Sequence, residues 1–350
     1  MSLETTASAS NESPTVGGDN STARVLWLRP SKSENISIGR HRLADHLRRR
    51  GYVVEVRNAP FSQGRDIIED AGEYDAIIGT TRAGALLGAM AKLRHGTPLI
   101  VDHIDPIRQF HDTEPPWLSY PVHAAESAVF RLADHVCWVT ADDSPRVRRW
   151  GRRYTQTALG VDFDAFARPT PEAVDAAASR LSGLALRSRV AVYIGGLEPI
   201  YNLEALLDGM RAAERWSLLV LGEGSLEQDI EAAAKADDSL HYLGSVPHEH
   251  VPGYLHHADV GVCLADERTV KVLEYAAARL PVVHVNGTAA DRFGELVQHV
   301  RLDARSIAGG LDDAANWPSG RLDEMQRHAR DRDWERVTEA YDLALAEVLG

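Results

Sequence analysis

The sequence predicts an α/β protein built from two doubly wound parallel-sheet domains that face a central cleft. Three observations carry that prediction. Short β-branched runs alternate with amphipathic helical stretches, the pattern of parallel βαβ units. The alternation occurs as two series, interrupted by a segment that breaks both periods, Leu159–Pro171 with Gly160, Pro169 and Pro171. At 350 residues the chain is too long for one ordinary core.

Taken in order, residues 1–23 are rich in Ser, Thr, Asn and Gly and lack both a basic and an apolar leader region, so they read as a disordered tail with no secretory signal. A first domain follows over 24–165. Its strands are expected at Val25 to Leu28, Val53 to Val56, Ala76 to Ile78, Pro98 to Val101 and His135 to Val139, with helices at Gly39 to Arg50 and Ala83 to Leu93. A second domain, 166–320, carries strands at Val190 to Ile194, Ser217 to Leu221, His241 to Leu243, Val260 to Cys263 and Pro281 to Val285. The last stretch, 321–350, keeps a long helical period and is placed as a helix packing back on the first domain.

Composition narrows the function. With 44% hydrophobic and 25% charged residues the chain reads as soluble and globular, and no apolar run approaches the roughly 18 to 20 residues that span a bilayer. Two cysteines, Cys137 and Cys263, each inside an apolar strand-like run, exclude a disulfide framework and fit a cytoplasmic compartment. A net charge of -13 argues against a nucleic-acid partner, which needs a basic field.

The chemistry concentrates at the carboxyl ends of the second-domain strands. Gly195 and Gly196 follow the first, Gly222 and Gly224 the second, and Gly244, Ser245 and Val246 the third. Ligands in open α/β sheets bind at that edge, where glycines let a diphosphate approach the backbone and helix N-termini face it. The segment Asp266 to Gly287 then places Lys271 and Glu274 in the opening turns of a small-residue helix, so that its start meets a polar ligand while its body packs on the sheet. In the first domain, Asp102, His103 and Asp105 in the run V-D-H-I-D-P end a strand at the cleft, where an acid or histidine can take a proton from a hydroxyl. The loop Ser33 to Gly39 opens the first helix beside them.

From Val190 to Val285 these landmarks resemble the donor half of nucleotide-sugar glycosyltransferases with the GT-B fold, most closely the family 4 group. They run through Gly195-Gly196, Asn202, Leu219 to Gly224, Tyr242-Leu243-Gly244-Ser245-Val246, Val251 to Ala258, Asp259-Val260-Gly261 and Lys271-Val272-Leu273-Glu274-Tyr275-Ala276-Ala277. The first domain matches more loosely, at Glu126 to Asp134, Cys137 to Thr140 and Leu159 to Phe166.

The resemblance implies a metal-independent sugar transferase whose co-substrate is a nucleotide-sugar, UDP-linked in most similar enzymes, with no other cofactor. Glu274 would accept hydrogen bonds from the donor ribose, and Lys271 would stabilise charge on the departing diphosphate. Asp266 or Glu267 would lie near the sugar hydroxyls, and Arg268 near a phosphate. Gly195, Gly196, Gly222, Gly244, Ser245, Val246, Val272 and Leu273 would line the donor. The chain departs from the family at Gly196 and Tyr201, where many members carry an arginine and a lysine that clamp the diphosphate. Inverting relatives need a base in the first domain, the role open to Asp102, His103 and Asp105.

Alternatives on the same landmarks are a non-catalytic sugar-nucleotide-binding subunit and a sugar-nucleotide epimerase. A nicotinamide dehydrogenase fits poorly, because Leu28-Arg29-Pro30-Ser31 stands where G-x-G-x-x-G belongs. His248, His250, His256 and His257 cluster without zinc-helix spacing and read as solvated or capping residues. The run Arg146 to Tyr154, basic and interleaved with aromatics, together with Arg48 to Arg50, suits an anionic membrane surface and a lipid-linked or other glycan acceptor.

Overall fold

The computed structural model describes residues 22–30, 34–104, 115–139, 143–265, 269–287 and 293–350. Two six-stranded, all-parallel sheets organise the chain, with orders β2-β1-β3-β4-β5-β6 and β12-β11-β10-β7-β8-β9. The first comprises β1 (Arg24–Arg29), β2 (Val53–Asn58), β3 (Ala76–Thr80), β4 (Leu99–His103), β5 (His135–Trp138) and β6 (Tyr154–Gln156). The second comprises β7 (Arg189–Ile194), β8 (Trp216–Leu221), β9 (Leu240–Gly244), β10 (Val260–Cys263), β11 (Val282–Val285) and β12 (Gln298–Val300). The central strands are buried on both faces, as parallel strands covered by helices must be, which is why they read as continuous apolar runs.

Two edge strands, β6 and β12, have three residues each and escape a period-based reading. β6 begins at Tyr154, the last residue of the basic run. The C-terminal stretch also differs from one long helix. It divides into Ser319–Arg330, whose Met325 and Ala329 lie in the second-domain core, and Trp334–Leu349, whose Val337, Tyr341 and Leu345 lie in the core of the first.

The chain therefore crosses between domains twice, and the crossings pair. Val161 N–H donates to the Arg332 carbonyl at 3.0 Å, and Trp334 N–H donates to the Val161 carbonyl at 3.1 Å. The Trp334 indole wedges against the linker, where a Cβ on Gly160 would lie 2.2 Å from its ring, so only glycine fits there. Val161 and Phe163, just before the boundary at 166, pack in the same core cluster as Phe166 and the second-domain strands.

Candidate active site at the carboxyl ends of the two sheets

In the second domain the three glycine-ended strands stack as neighbours. Gly195 N–H donates to the Leu221 carbonyl and Gly222 N–H to the Gly244 carbonyl, both at 2.9 Å. Gly195, Gly222 and Gly244 all have positive φ, 123°, 146° and 70°. A Cβ on Gly222 would lie 1.8 Å from the Gly195 oxygen, so the backbone turns here are open only to glycine. The result is a strip of bare backbone at the sheet edge.

The helix Val270–Ala277 sits over that strip and is bolted to it by Tyr275. The Tyr275 hydroxyl accepts from Ile194 N–H at 3.0 Å and lies 3.3 and 3.4 Å from the Val262 and Val192 carbonyls. Gly261 makes room for its ring, which a Cβ there would meet at 2.6 Å. At the N-cap position Thr269 makes no side-chain capping bond, so the first amides of the helix keep their donors. Val272 and Leu273 are buried in the core, leaving only their backbone to meet a ligand.

Lys271 and Glu274 are both 8% exposed. The Lys271 ammonium donates to the Tyr193 hydroxyl at 3.1 Å, which in turn donates to the Gly196 carbonyl at 2.5 Å. It also lies 4.2 Å and 4.3 Å from the ring centroids of Tyr193 and Tyr201, close enough for cation–π attraction. A Cβ on Gly195 would stand 2.9 Å from its nitrogen, which places the charge directly against the glycine strip. Burial holds the Lys271 pKa below the ordinary lysine value, against the opposing pull of Cys263 and Glu274. Tyr201, one of the two positions where the sequence resemblance implied a missing clamp residue, lends its ring to Lys271.

One turn on, the Glu274 carboxylate accepts from His248 Nε2 at 2.9 Å. His248 was expected to be a solvated or capping residue. It is exposed, and its ring also packs edge-on against Phe166 at 5.5 Å, while the Glu274 bond raises its pKa above the ordinary histidine value. It follows Ser245, which is exposed, and Val246, which is half-buried, on the loop after β9. Asn202 takes up a left-handed backbone, φ 52°, and donates from its side chain to the Leu264 carbonyl at 2.7 Å, tying this edge to β10. Asp266, Glu267 and Arg268 lie outside the described residues, as does Asp105.

The first domain treats its strand-end residues differently. Asp102 is fully buried and does not face the cleft. Its two oxygens accept from Arg40 Nε and Nη2, from Thr80 and from Tyr341, each at 2.7 Å. Burial pushes its carboxyl up, but the Arg40 charge and these hydrogen bonds outweigh that and hold its pKa below the usual carboxylate value. Such a carboxylate organises the core and leaves no lone pair for an acceptor hydroxyl. His103 points to the opposite face of β4 and is 4% exposed, with Nε2 at 3.0 Å from Asp143 and its ring edge-on to Phe130 at 5.0 Å. Asp143, which the sequence reading did not single out, is also bound by Arg146 at 3.0 Å, and Arg146 reaches Glu126 at 2.6 Å.

That geometry changes the reading of the basic run. Arg146 is buried and neutralised, while Arg148, Arg149 and Trp150 are exposed and Arg153 pairs with Glu347 at 3.3 Å. In the second basic run Arg50 is bound to Asp342 at 2.8 Å and Arg48 to Asp45 at 2.6 Å. Among the described residues no group of three or more His, Cys, Asp or Glu could hold a metal ion, and no helix is long and apolar enough to cross a membrane.

Two doubly wound sheets joined by a paired double crossover, with a charged helix over a glycine-lined strand edge, define the GT-B fold. Within it, residues 188–310 match the family model of glycosyl transferases group 1. Solved structures agree on the fold over nearly the whole chain. Anabaena HepE in complex with UDP-glucose superposes with a TM-score of 0.72 at 17% identity, covering 93% of this chain and 99% of that one. Sucrose-phosphate synthase from Thermosynechococcus elongatus gives 0.74 at 14% identity, over 93% and 99%. WaaG, a glycosyltransferase involved in lipopolysaccharide biosynthesis, gives 0.66 at 12% identity, over 91% and 98%. No curated protein matches the chain by sequence.

Proposed function

We propose that the protein is a metal-independent glycosyltransferase that binds a UDP-linked sugar in its second domain and transfers the sugar to an acceptor hydroxyl presented by the first. One observation carries the reading. Lys271 stands against a strip of backbone that only glycine can form, and Glu274 lies one turn on along the same helix, each with a single hydrogen-bond partner among the described residues. A buried cation beside side-chain-free backbone suits a diphosphate, and a buried carboxylate one turn away suits a ribose diol. The complexes of HepE with UDP and UDP-glucose support the choice of base.

In this reading Lys271 and the first amides of its helix stabilise charge growing on the departing diphosphate, and the domains position the acceptor against the sugar. Of the two described first-domain candidates for a base, His103 keeps that role. Its Nε2 lies within hydrogen-bond reach of both Asp143 at 3.0 Å and Arg146 Nη2 at 3.2 Å, which hold the ring at the end of β4. Asp266, Glu267 and Arg268 retain their proposed places by the sugar and phosphate. The exposed Arg148, Arg149, Trp150 and Tyr154 support an acceptor carried on a lipid at an anionic membrane surface, reached from its cytoplasmic side.

A donor-binding subunit without transfer remains the second reading, favoured by Gly196 and by the turn of Tyr201 onto Lys271 at the clamp positions. Incubation with UDP-glucose and lipid-linked glycan acceptors, read as UDP release, separates the two. Release that rises with acceptor and is lost in Lys271→Met supports transfer; binding without release supports the subunit.

A further inference from the structure

The contact between His248 and Glu274 joins two parts of the second domain that a donor would have to use together. His248 lies on the loop after β9, two residues beyond Val246, and its side chain is 42% exposed while that of Glu274 is 11% exposed. The imidazole therefore covers the one carboxylate suited to the ribose, at 2.9 Å. The ring is not loose. It packs against Phe166 of the helix Phe163–Ala167 that follows the linker, so its position depends on the interdomain crossing.

We propose that His248 competes with the donor: its imidazolium holds Glu274, must release that carboxylate before the ribose hydroxyls can take it, and so makes donor affinity fall as His248 becomes protonated. The inference rests on Glu274 being the ribose contact. It adds that the same carboxylate has an internal partner built into the chain.

The sign of the pH dependence follows from the charges around the ring. Glu274, from the helix Val270–Ala277, favours the imidazolium through the hydrogen bond and its charge. Arg42, from the first-domain helix Glu34–Arg49, opposes it, and Asp162 of the linker favours it. Arg42 and Asp162 are themselves paired at 3.4 Å, so their effects on His248 largely offset and Glu274 dominates. Bound to Glu274, the ring keeps its proton to a higher pH than a free histidine does. When ribose displaces it, that stabilisation is lost and the proton leaves, so donor binding releases a proton and weakens as pH falls. No atom of the donor is altered; the step exchanges one hydrogen-bond partner of Glu274 for another.

The probe is UDP-glucose, whose diphosphate carries no group that titrates near neutrality. Calorimetric titration of the full chain at about pH 8 and about pH 5.5 is expected to show binding weaker by on the order of tenfold at the lower pH. His248→Gln and His248→Phe, which cannot carry the charge, should bind UDP-glucose at least as tightly as the parent at both values and equally at each. Two variants guard against a folding defect in one. PH dependence that survives in both, or binding weaker than the parent at both pH values, would overturn the gate and make His248 at most a donor contact. Binding unaffected by Glu274→Ala, or no binding of UDP-glucose at all, would instead remove the ribose assignment and the gate with it.

Discussion

The two sheets end in charged residues that are partnered in opposite ways. At the end of β4 in the first domain, Asp102 has four hydrogen bonds, no exposure and a bidentate arginine. At the corresponding edge of the second, Lys271 and Glu274 are almost as buried, yet each has one hydrogen-bond partner among the described residues, and Lys271 stands against the side-chain-free backbone of Gly195. Burial of charge alone therefore does not mark a site. A carboxylate whose lone pairs are filled is architecture, while one with spare lone pairs beside open backbone is placed to bind.

Substitutions can break that contrast, beginning with the largest expected effect. Asp102→Ala removes a buried carboxylate that takes four hydrogen bonds, two of them from Arg40, and should cost about 3–5 kcal/mol in urea denaturation. The same residue predicts acid sensitivity. Its folded pKa is depressed, so its contribution is present above the usual carboxylate pKa and lost as pH falls through the folded value, and Asp102→Ala should flatten stability in that range. Comparable instability in Glu274→Ala would collapse the distinction between the two edges.

Next comes Lys271→Met, which should lower kcat about 100-fold or more, as loss of a preorganised group stabilising transition-state charge does, with the fold intact by circular dichroism. An unchanged kcat would reassign Lys271 to the core. Gly222→Ala tests the strip itself. A Cβ 1.8 Å from the Gly195 oxygen at φ 146° forces the backbone to move, and strain of about 1–3 kcal/mol should appear as weaker donor binding. The smallest effect belongs to the periphery, where replacing Arg148, Arg149 and Trp150 with Ser should reduce co-sedimentation with anionic vesicles several-fold while UDP-glucose binding is kept. Unchanged co-sedimentation would end the membrane proposal.

Most of the fold was legible because parallel strands buried on both faces write themselves as apolar runs, and ten of the strands fall where such runs do. β6 and β12 were not, since three residues cannot establish a period. The break between the two C-terminal helices was hidden for another reason. Asp333, which accepts from Glu335 N–H and caps the second helix, looks like one more polar position in a helical repeat until the linker pairs with it.

The glycine-lined edge of the second sheet was legible for a local reason: glycines at strand ends and two charges one turn apart are close in sequence. The pairs that complete the site are not. His248 meets Glu274 across 26 positions, and His103 meets Asp143 across 40, so only the packed structure joins them. Asp102 and His103 were read together as strand-end residues, but they part to opposite faces of β4. Successive residues of a strand face opposite sides, and Asp102 turns to Arg40 and Tyr341 while His103 turns to Phe130.

Donor binding by this edge turns on Glu274. Calorimetric titration of the full chain and of Glu274→Ala with UDP, GDP and their sugars should give saturable binding of the uridine nucleotides that weakens at least tenfold in the variant, about 1.4 kcal/mol. Equal binding by both proteins, or no binding of any nucleotide, would contradict it, leaving a GT-B fold whose glycine-lined edge serves some other ligand.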